Sequence, residues 1–175
     1  MMRRTRWLTA TLALALVAGL TGCRGRPSTP ESPGAPAVDP VAVVDHYFAA
    51  WNAHDAIAVA SYLTDDVVYY DATVGTPQVS RDSALKNVVQ AFLTAAPDAR
   101  WTRDSAPPIV GRDGIAFQWT FSGTNTGPWG DGTKASGKAF SFSGATLIRL
   151  RGDKIAYQGD FYDAYGVLKQ LGFAQ

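Results

Sequence analysis

The stretch KAFSFSGATLIRLRGDKIAYQGDFYD, residues 138–163, constrains this chain more than any other. β-Branched and aromatic residues run on both sides of Gly152-Asp153, a dipeptide suited to a tight turn. The segment therefore predicts a long antiparallel hairpin over 138–151 and 154–162. Such a hairpin must bury one face. With a two-residue turn, Leu150 faces Ile155, Ile148 faces Tyr157, Thr146 faces Gly159, Gly144 faces Phe161 and Phe142 faces Asp163. That set is mainly apolar and should point inward, while Arg149, Arg151, Lys154, Gln158 and Asp160 should lie on the wetter side. On this parity Asp163 is inner and Asp160 outer, and a single β-bulge would exchange them. Asp163 also stands before residues 164–171, which read as a last helix, where Asp is a favoured cap.

The upstream half has a different period. Asp39-Pro40 pairs a capping carboxylate with a proline suited to the first helical turn. Val41, Val44, Tyr47, Phe48 and Trp51 follow at helical spacing. Residues 52–55 interrupt the run, and 56–63 predict a second short helix. Val67 to Tyr70 predict a first strand, 71–77 a loop, and 80–95 a third helix stopped by Pro97. Further strands are expected over 100–105 and 115–122, and the Gly-, Thr- and Asp-rich residues 123–137 read as a long loop. Three helices followed by antiparallel strands is an α+β pattern.

The chain begins MMRRTRWLTATLALALVAGLTGC. Three arginines precede an uncharged apolar run from Leu8 to Leu20, which is too short to span a bilayer and is laid out like an export signal. Leu20-Thr21-Gly22-Cys23 resembles the bacterial lipobox, which implies cleavage before Cys23 and lipidation of its thiol. Cys23 is the only cysteine, so no disulfide accounts for it. Residues 23–38 are rich in Pro, Ser, Gly and Ala and read as a flexible tether. The chain thus divides into a signal peptide at 1–22, a lipid-anchored tether at 23–38 and one domain at 39–175, exported and held at the bacterial cell membrane. The domain carries 11 of the 16 basic and 14 of the 15 acidic side chains, with no basic stripe, which argues against nucleic acid as a partner. His46 and His54 are the only histidines and have no third ligand at metal spacing, so no metal site is expected.

Within the domain, AVVDHYFAAWNAHDAIAVASYLTDDVVYYD resembles the opening of the nuclear transport factor 2-like superfamily. SGTNTG, and then KAFSFSGATLIRLRGDKIAYQGDFYDAYGVLKQLG, resemble its SnoaL-like polyketide cyclase branch. The likeness covers nearly all of residues 40–174. It implies a curved antiparallel sheet wrapped around helices to form a cone with a mostly apolar pocket. In characterised cyclases of the branch, an aspartate on the late strands takes a proton next to a carbonyl and starts an aldol ring closure, with no metal or organic cofactor. The matching positions are Asp160 and Asp163, with Asn125 of GTNTG as candidate polar partner. Many relatives carry His in place of Asn125 and Trp in place of Gly159, and loss of that Trp would reshape the pocket. The open sheet of this fold often pairs with a copy of itself, which makes a homodimer through that face one of two oligomeric states, beside the monomer, that the sequence allows.

Tyr47 and Trp51 on the first helix are candidate pocket walls, as are Trp119 and Phe121 on one strand face, with Thr146 on the hairpin. Tyr70 and Asp71 end the first strand, where family members often place pocket polar groups; Asp71 is equally suited to starting a turn. Burial would raise the pKa of either hairpin aspartate and make it a better base. Three functions follow: a membrane-tethered domain binding a small apolar molecule, a cofactor-free cyclase or isomerase, or an envelope interaction module.

Overall fold

The computed structural model describes residues 38–175. The signal-like segment, Cys23 and the tether up to residue 37 lie outside the described residues. Helix α1 (Pro40–Asn52) starts where the Asp39 side chain accepts from Val41 N at 2.9 Å, with Pro40 in the first turn. Its apolar stripe of Val44, Tyr47, Phe48 and Trp51 is buried. Asn52 clamps its end to a strand: Nδ2 donates to the Trp101 carbonyl at 2.8 Å, and Oδ1 accepts from Trp101 N at 2.8 Å. In the next turn His54 adopts a left-handed φ of 57° and its Nε2 bonds the Ala99 carbonyl. Helix α2 (Ala56–Ser61) follows.

The helix expected over 80–95 is present in three consecutive parts. These are α3 (Arg81–Ala84), a π-helical turn (Leu85–Val89) and α4 (Gln90–Ala95). A π turn adds a residue to the helical circuit and shifts the face that follows it. Val88 and Phe92 both end up buried. Helix α5 (Ala164–Leu171) is capped by Asp163 and stopped by Gly172, whose φ of 78° favours glycine.

The strands are β1 (Leu63–Asp71), β2 (Gln78–Val79), β3 (Arg100–Arg103), β4 (Ile109–Val110), β5 (Gly114–Thr124), β6 (Ala139–Arg151) and β7 (Lys154–Tyr162). They form one sheet in the order β2-β1-β7-β6-β5-β3, with β4 also on β5. All neighbours are antiparallel except β1 and β7, which are parallel. This is the α+β architecture expected, a curved open sheet with the N-terminal helices packed against it. The parallel pair is a departure. It arises because β1, made before the third helical stretch, is laid beside the last strand. The two-residue strands β2 and β4 are too short to leave a period in the sequence.

The hairpin departs from the expected register at one residue. Its turn is at Gly152-Asp153, with Gly152 at φ 63°, and Arg151 pairs Lys154 and Leu150 pairs Ile155. Arg149 then pairs Tyr157, so Ala156 is extra. Beyond this bulge every partner moves by one: Ile148 pairs Gln158, Thr146 pairs Asp160 and Gly144 pairs Tyr162. The parity assignment is therefore corrected. Asp160 is buried on the inner face, and Asp163 is exposed at the start of α5. Gly159, with Tyr157 and Phe161, takes the outer face. A side chain there would meet the Tyr157 hydroxyl and the Phe161 ring, so this position does not shape the cavity.

Candidate functional site

The inner face of the sheet is read in rungs. One rung runs Asp71, Asp160, Thr146, Phe117; the next runs Tyr162, Gly144, Trp119. Tyr69 and Gln158 share a rung on the other side of the Asp71 and Asp160 pair. Farther out, Phe142 pairs Phe121, which pairs Trp101. Gly144 is glycine for a steric reason: a Cβ there would lie 2.5–2.6 Å from the Trp119 ring. Its absence lets the indole lie across β6 and reach Thr146.

Helix α1 and the π turn close over this face. The result is a small cavity with about 30 Å³ of free space. Its walls are Trp51, Trp101, Trp119, Phe92, Phe121 and Phe142, with Val88, and its polar groups are Tyr69, Asp71, Asp160 and Tyr162. The rings meet edge to face, as in Trp51 with Trp101 (5.4 Å, 85°), Trp101 with Trp119 (5.7 Å, 89°) and Trp119 with Tyr162 (5.8 Å, 69°). A wider groove of about 830 Å³ lies next to it, between α4, the loop carrying Trp129 and α5. Phe92 is the residue that lines both.

Asp160 is the most tightly held polar group of the site. Thr146 Oγ1 donates to Oδ1 at 2.5 Å, Tyr69 Oη donates to Oδ2 at 2.7 Å, and Gln158 Nε2 donates to both at 3.2 and 3.0 Å. Trp119 Nε1 donates to Thr146 Oγ1 at 2.7 Å, which leaves the threonine proton for Asp160. Three donors favour the carboxylate, but burial opposes it and neighbouring Asp71 adds repulsion. Together these push Asp160 up to about 7. Burial also raises Asp71, against hydrogen bonds from Val74 N, Tyr162 Oη and Thr73 N. The hydroxyls of Tyr47, Tyr69 and Tyr162 are pushed up by burial, with Asp71 or Asp160 nearby adding to the effect, and stay protonated. Four buried polar atoms around the cavity have no partner among the described residues: Tyr47 Oη, Trp51 Nε1, Trp101 Nε1 and Gln158 Oε1.

Of the residues singled out in the sequence, Trp51, Asp71, Trp119, Phe121 and Asp160 line this cavity. Thr146 stands directly behind Asp160, and Tyr47 is fully buried beside the same network. Asp71 also takes the turn role, accepting from Thr73 N and Val74 N. Three residues lie elsewhere. Asp163 accepts from Gly166 N at 2.8 Å as the cap of α5. Tyr70 is on the outer face, tilted against Phe161 at 5.6 Å, because it alternates with the inward Tyr69 and Asp71. Asn125 is fully buried, but it bonds Ala95 O, Gly127 O and Ser136 N and so fastens the 125–137 loop. Tyr69, Gln158 and Tyr162 were not singled out. The alternation of β1 and β7 marks them once the bulge is known. Trp101 and Phe142 were readable only as core.

The SnoaL-like polyketide cyclase family matches residues 41–171, and the chain belongs to it. Solved structures agree in fold. A Jannaschia sp. CCS1 protein assigned as a SnoaL-like polyketide cyclase superposes with a TM-score of 0.67 at 15% identity, covering 83% of this chain and 100% of that one. IdmH of Streptomyces antibioticus, assigned as a polyketide cyclase, gives 0.63 at 22% identity, with 77% and 99% covered. A Catenulispora acidiphila protein of ketosteroid isomerase-like fold, solved in complex with trimethylamine, gives 0.62 at 22%, with 74% and 92% covered. No curated protein matches the sequence.

The raised carboxyl groups couple stability to pH. In the folded state Asp160 holds its proton to about 7, well above the range of about 3.9 for an unfolded aspartate. The folded form therefore binds more protons between those values, and stability falls as pH rises through this window. Asp66, Asp98 and Asp131 are held below the ordinary value by hydrogen bonds and titrate beneath it. Urea denaturation from about pH 4 to about pH 8 should show the decline in the wild type and a flatter profile in Asp160→Asn. Equal slopes would place the Asp160 carboxyl in contact with water.

Proposed function

We propose that the domain binds a small, largely apolar molecule in the aromatic cavity, at the buried carboxyl of Asp160. The observation that carries this reading is Asp160 itself: a carboxyl group buried at the floor of an aromatic cavity and oriented by Thr146, Tyr69 and Gln158. The cost of burying such a group without a cationic partner is the kind a binding or catalytic site bears.

The same group supports a second reading, cofactor-free proton abstraction next to a carbonyl. The Asp160 carboxylate would take a proton from the carbon beside the carbonyl. The C–H pair would move into the enolate, and the proton would return on the same or another carbon. A pKa near the working pH suits a general base. Exchange of α-protons into D₂O tests this with a panel of small ketones, read by NMR. The expected outcome is exchange that rises with pH to a plateau above about 7 and falls about 10²–10⁴-fold in Asp160→Asn. A panel that neither exchanges nor binds removes both readings.

We also propose a membrane-held location for the domain. Leu20-Thr21-Gly22-Cys23 supports lipidation of Cys23 and an extracytoplasmic domain held at the membrane. In the producing bacterium the wild type should partition into detergent and incorporate labelled fatty acid, and Cys23→Ala should do neither. Label in the Cys23→Ala protein would overturn the anchor.

A second copy is the partner we propose for the outer sheet face. Phe161 and Leu147 are exposed there, 48% and 39%, with Tyr70 tilted on Phe161. Sedimentation should give a dimer for the wild type and a monomer for Phe161→Glu, and a wild-type monomer at high concentration would exclude this partner.

A further inference from the structure

The small molecule of the binding reading can be given a charge. Asp71 and Asp160 are register partners on adjacent parallel strands, on the same face of the sheet. Like charges on one rung oppose each other. Both carboxyl groups line the cavity, and its lining contains no Lys, Arg or His. The titratable groups facing the pair are Tyr69, Tyr47 and Tyr162, all of them neutral hydroxyls. Among the described residues three exposed acids have cations, Asp45 with Arg103, Asp65 with Arg81, and Asp66 with Arg151. This pair, the most deeply buried, has none. The remaining wall is Val88 and six aromatic rings from α1, α4, β3, β5 and β6. Aromatic faces attract cations, and desolvated ones most strongly.

Size narrows the class further. A water needs about 10–15 Å³ of such space, so roughly 30 Å³ takes a ligand of about two or three heavy atoms. We infer that this cavity is a receptor for a small alkylammonium ion, its charge set between Asp71 and Asp160 and its alkyl groups against the aromatic wall. The inference rests on the binding reading above. It is separate from the proton-abstraction reading, because a bound cation stabilises the carboxylate and lowers its basicity.

Dimethylammonium and acetone, of similar size, test it on the full chain by tryptophan fluorescence and saturation-transfer NMR. Trp51, Trp101 and Trp119 line the cavity and report occupancy. Acetone is the demanding control, because the unpartnered indole N–H groups of Trp51 and Trp101 could serve its carbonyl. Dimethylammonium is expected to bind more tightly than acetone. Its affinity should rise about tenfold from about pH 6 to about pH 8, as the Asp160 carboxylate forms while the ligand keeps its charge. Asp160→Asn and Asp71→Asn should each lose that affinity, while an unchanged near-ultraviolet spectrum shows that they fold. Acetone bound as tightly or more tightly, or cation affinity that falls as pH rises, overturns the inference and leaves the binding reading standing. Neither probe bound at any pH overturns both.

Discussion

One extra residue in β7 determines which face of the sheet carries chemistry. Ala156 is unpaired between Ile155 and Tyr157, and every side chain after it is turned over relative to the regular hairpin. Gln158, Asp160 and Tyr162 point inward as a consequence, and Tyr157, Gly159 and Phe161 point outward. In a regular hairpin the inner face would carry Tyr157, Gly159 and Phe161 opposite Ile148, Thr146 and Gly144. That stretch would be more apolar, and Asp160 would face outward. The bulge therefore trades a simpler core for a polar site. The parallel pairing of β1 completes the exchange by bringing Tyr69 and Asp71 alongside Gln158 and Asp160.

The trade has an energetic shape. Buried carboxyl groups are costly, and two on one rung are more costly still. The surroundings recover part of this through donors: Thr146, Tyr69 and Gln158 for Asp160, and Tyr162, Thr73 N and Val74 N for Asp71. One of these donors is itself held. Thr146 is held by Trp119 Nε1, and Trp119 lies across β6 because position 144 lacks a side chain. Gly144 and Asp160 are thus linked through one indole and one hydroxyl. A substitution at 144 would reach the carboxyl without touching it. Such arrangements keep a site rigid where the charge alone would push it apart.

Much of this was legible in the sequence, and the reasons for the rest are local. Asp39-Pro40 and Asp163 announced their helices because capping is a short-range interaction. Strand β7 and helix α5 were readable because alternation, turn and cap agree there. The bulge was not readable, since Ala156 fits a regular strand as well as a bulged one, and that single ambiguity exchanged Asp160 with Asp163. Tyr70 and Asn125 were placed by family likeness at the end of a strand and in a loop. There, one step of alternation, or one backbone partner, decides whether a polar side chain meets a cavity. Tyr69 and Tyr162 escaped notice because aromatic residues in strands read first as core, and the polar end of a buried tyrosine has no signature of its own.

Membership in the SnoaL-like family carries the fold, and it does not carry the ligand. The cavity makes that separation quantitative. Its free space of about 30 Å³ suits a few heavy atoms, whereas a multi-ring ketone would need the neighbouring groove of about 830 Å³ as well. Phe92 stands on both, packed edge to face on Phe121 at 5.8 Å and on Trp129 at 5.3 Å. It follows a π turn, a local geometry often found at functional sites. A large ligand spanning the groove and the cavity would displace an aromatic ring from two partners, losing their contacts as it enters. A small one entering the cavity leaves that packing intact. Because Phe92 lines both the cavity and the groove, a change at Phe92 would alter ligand size before it altered the chemistry at the carboxyl.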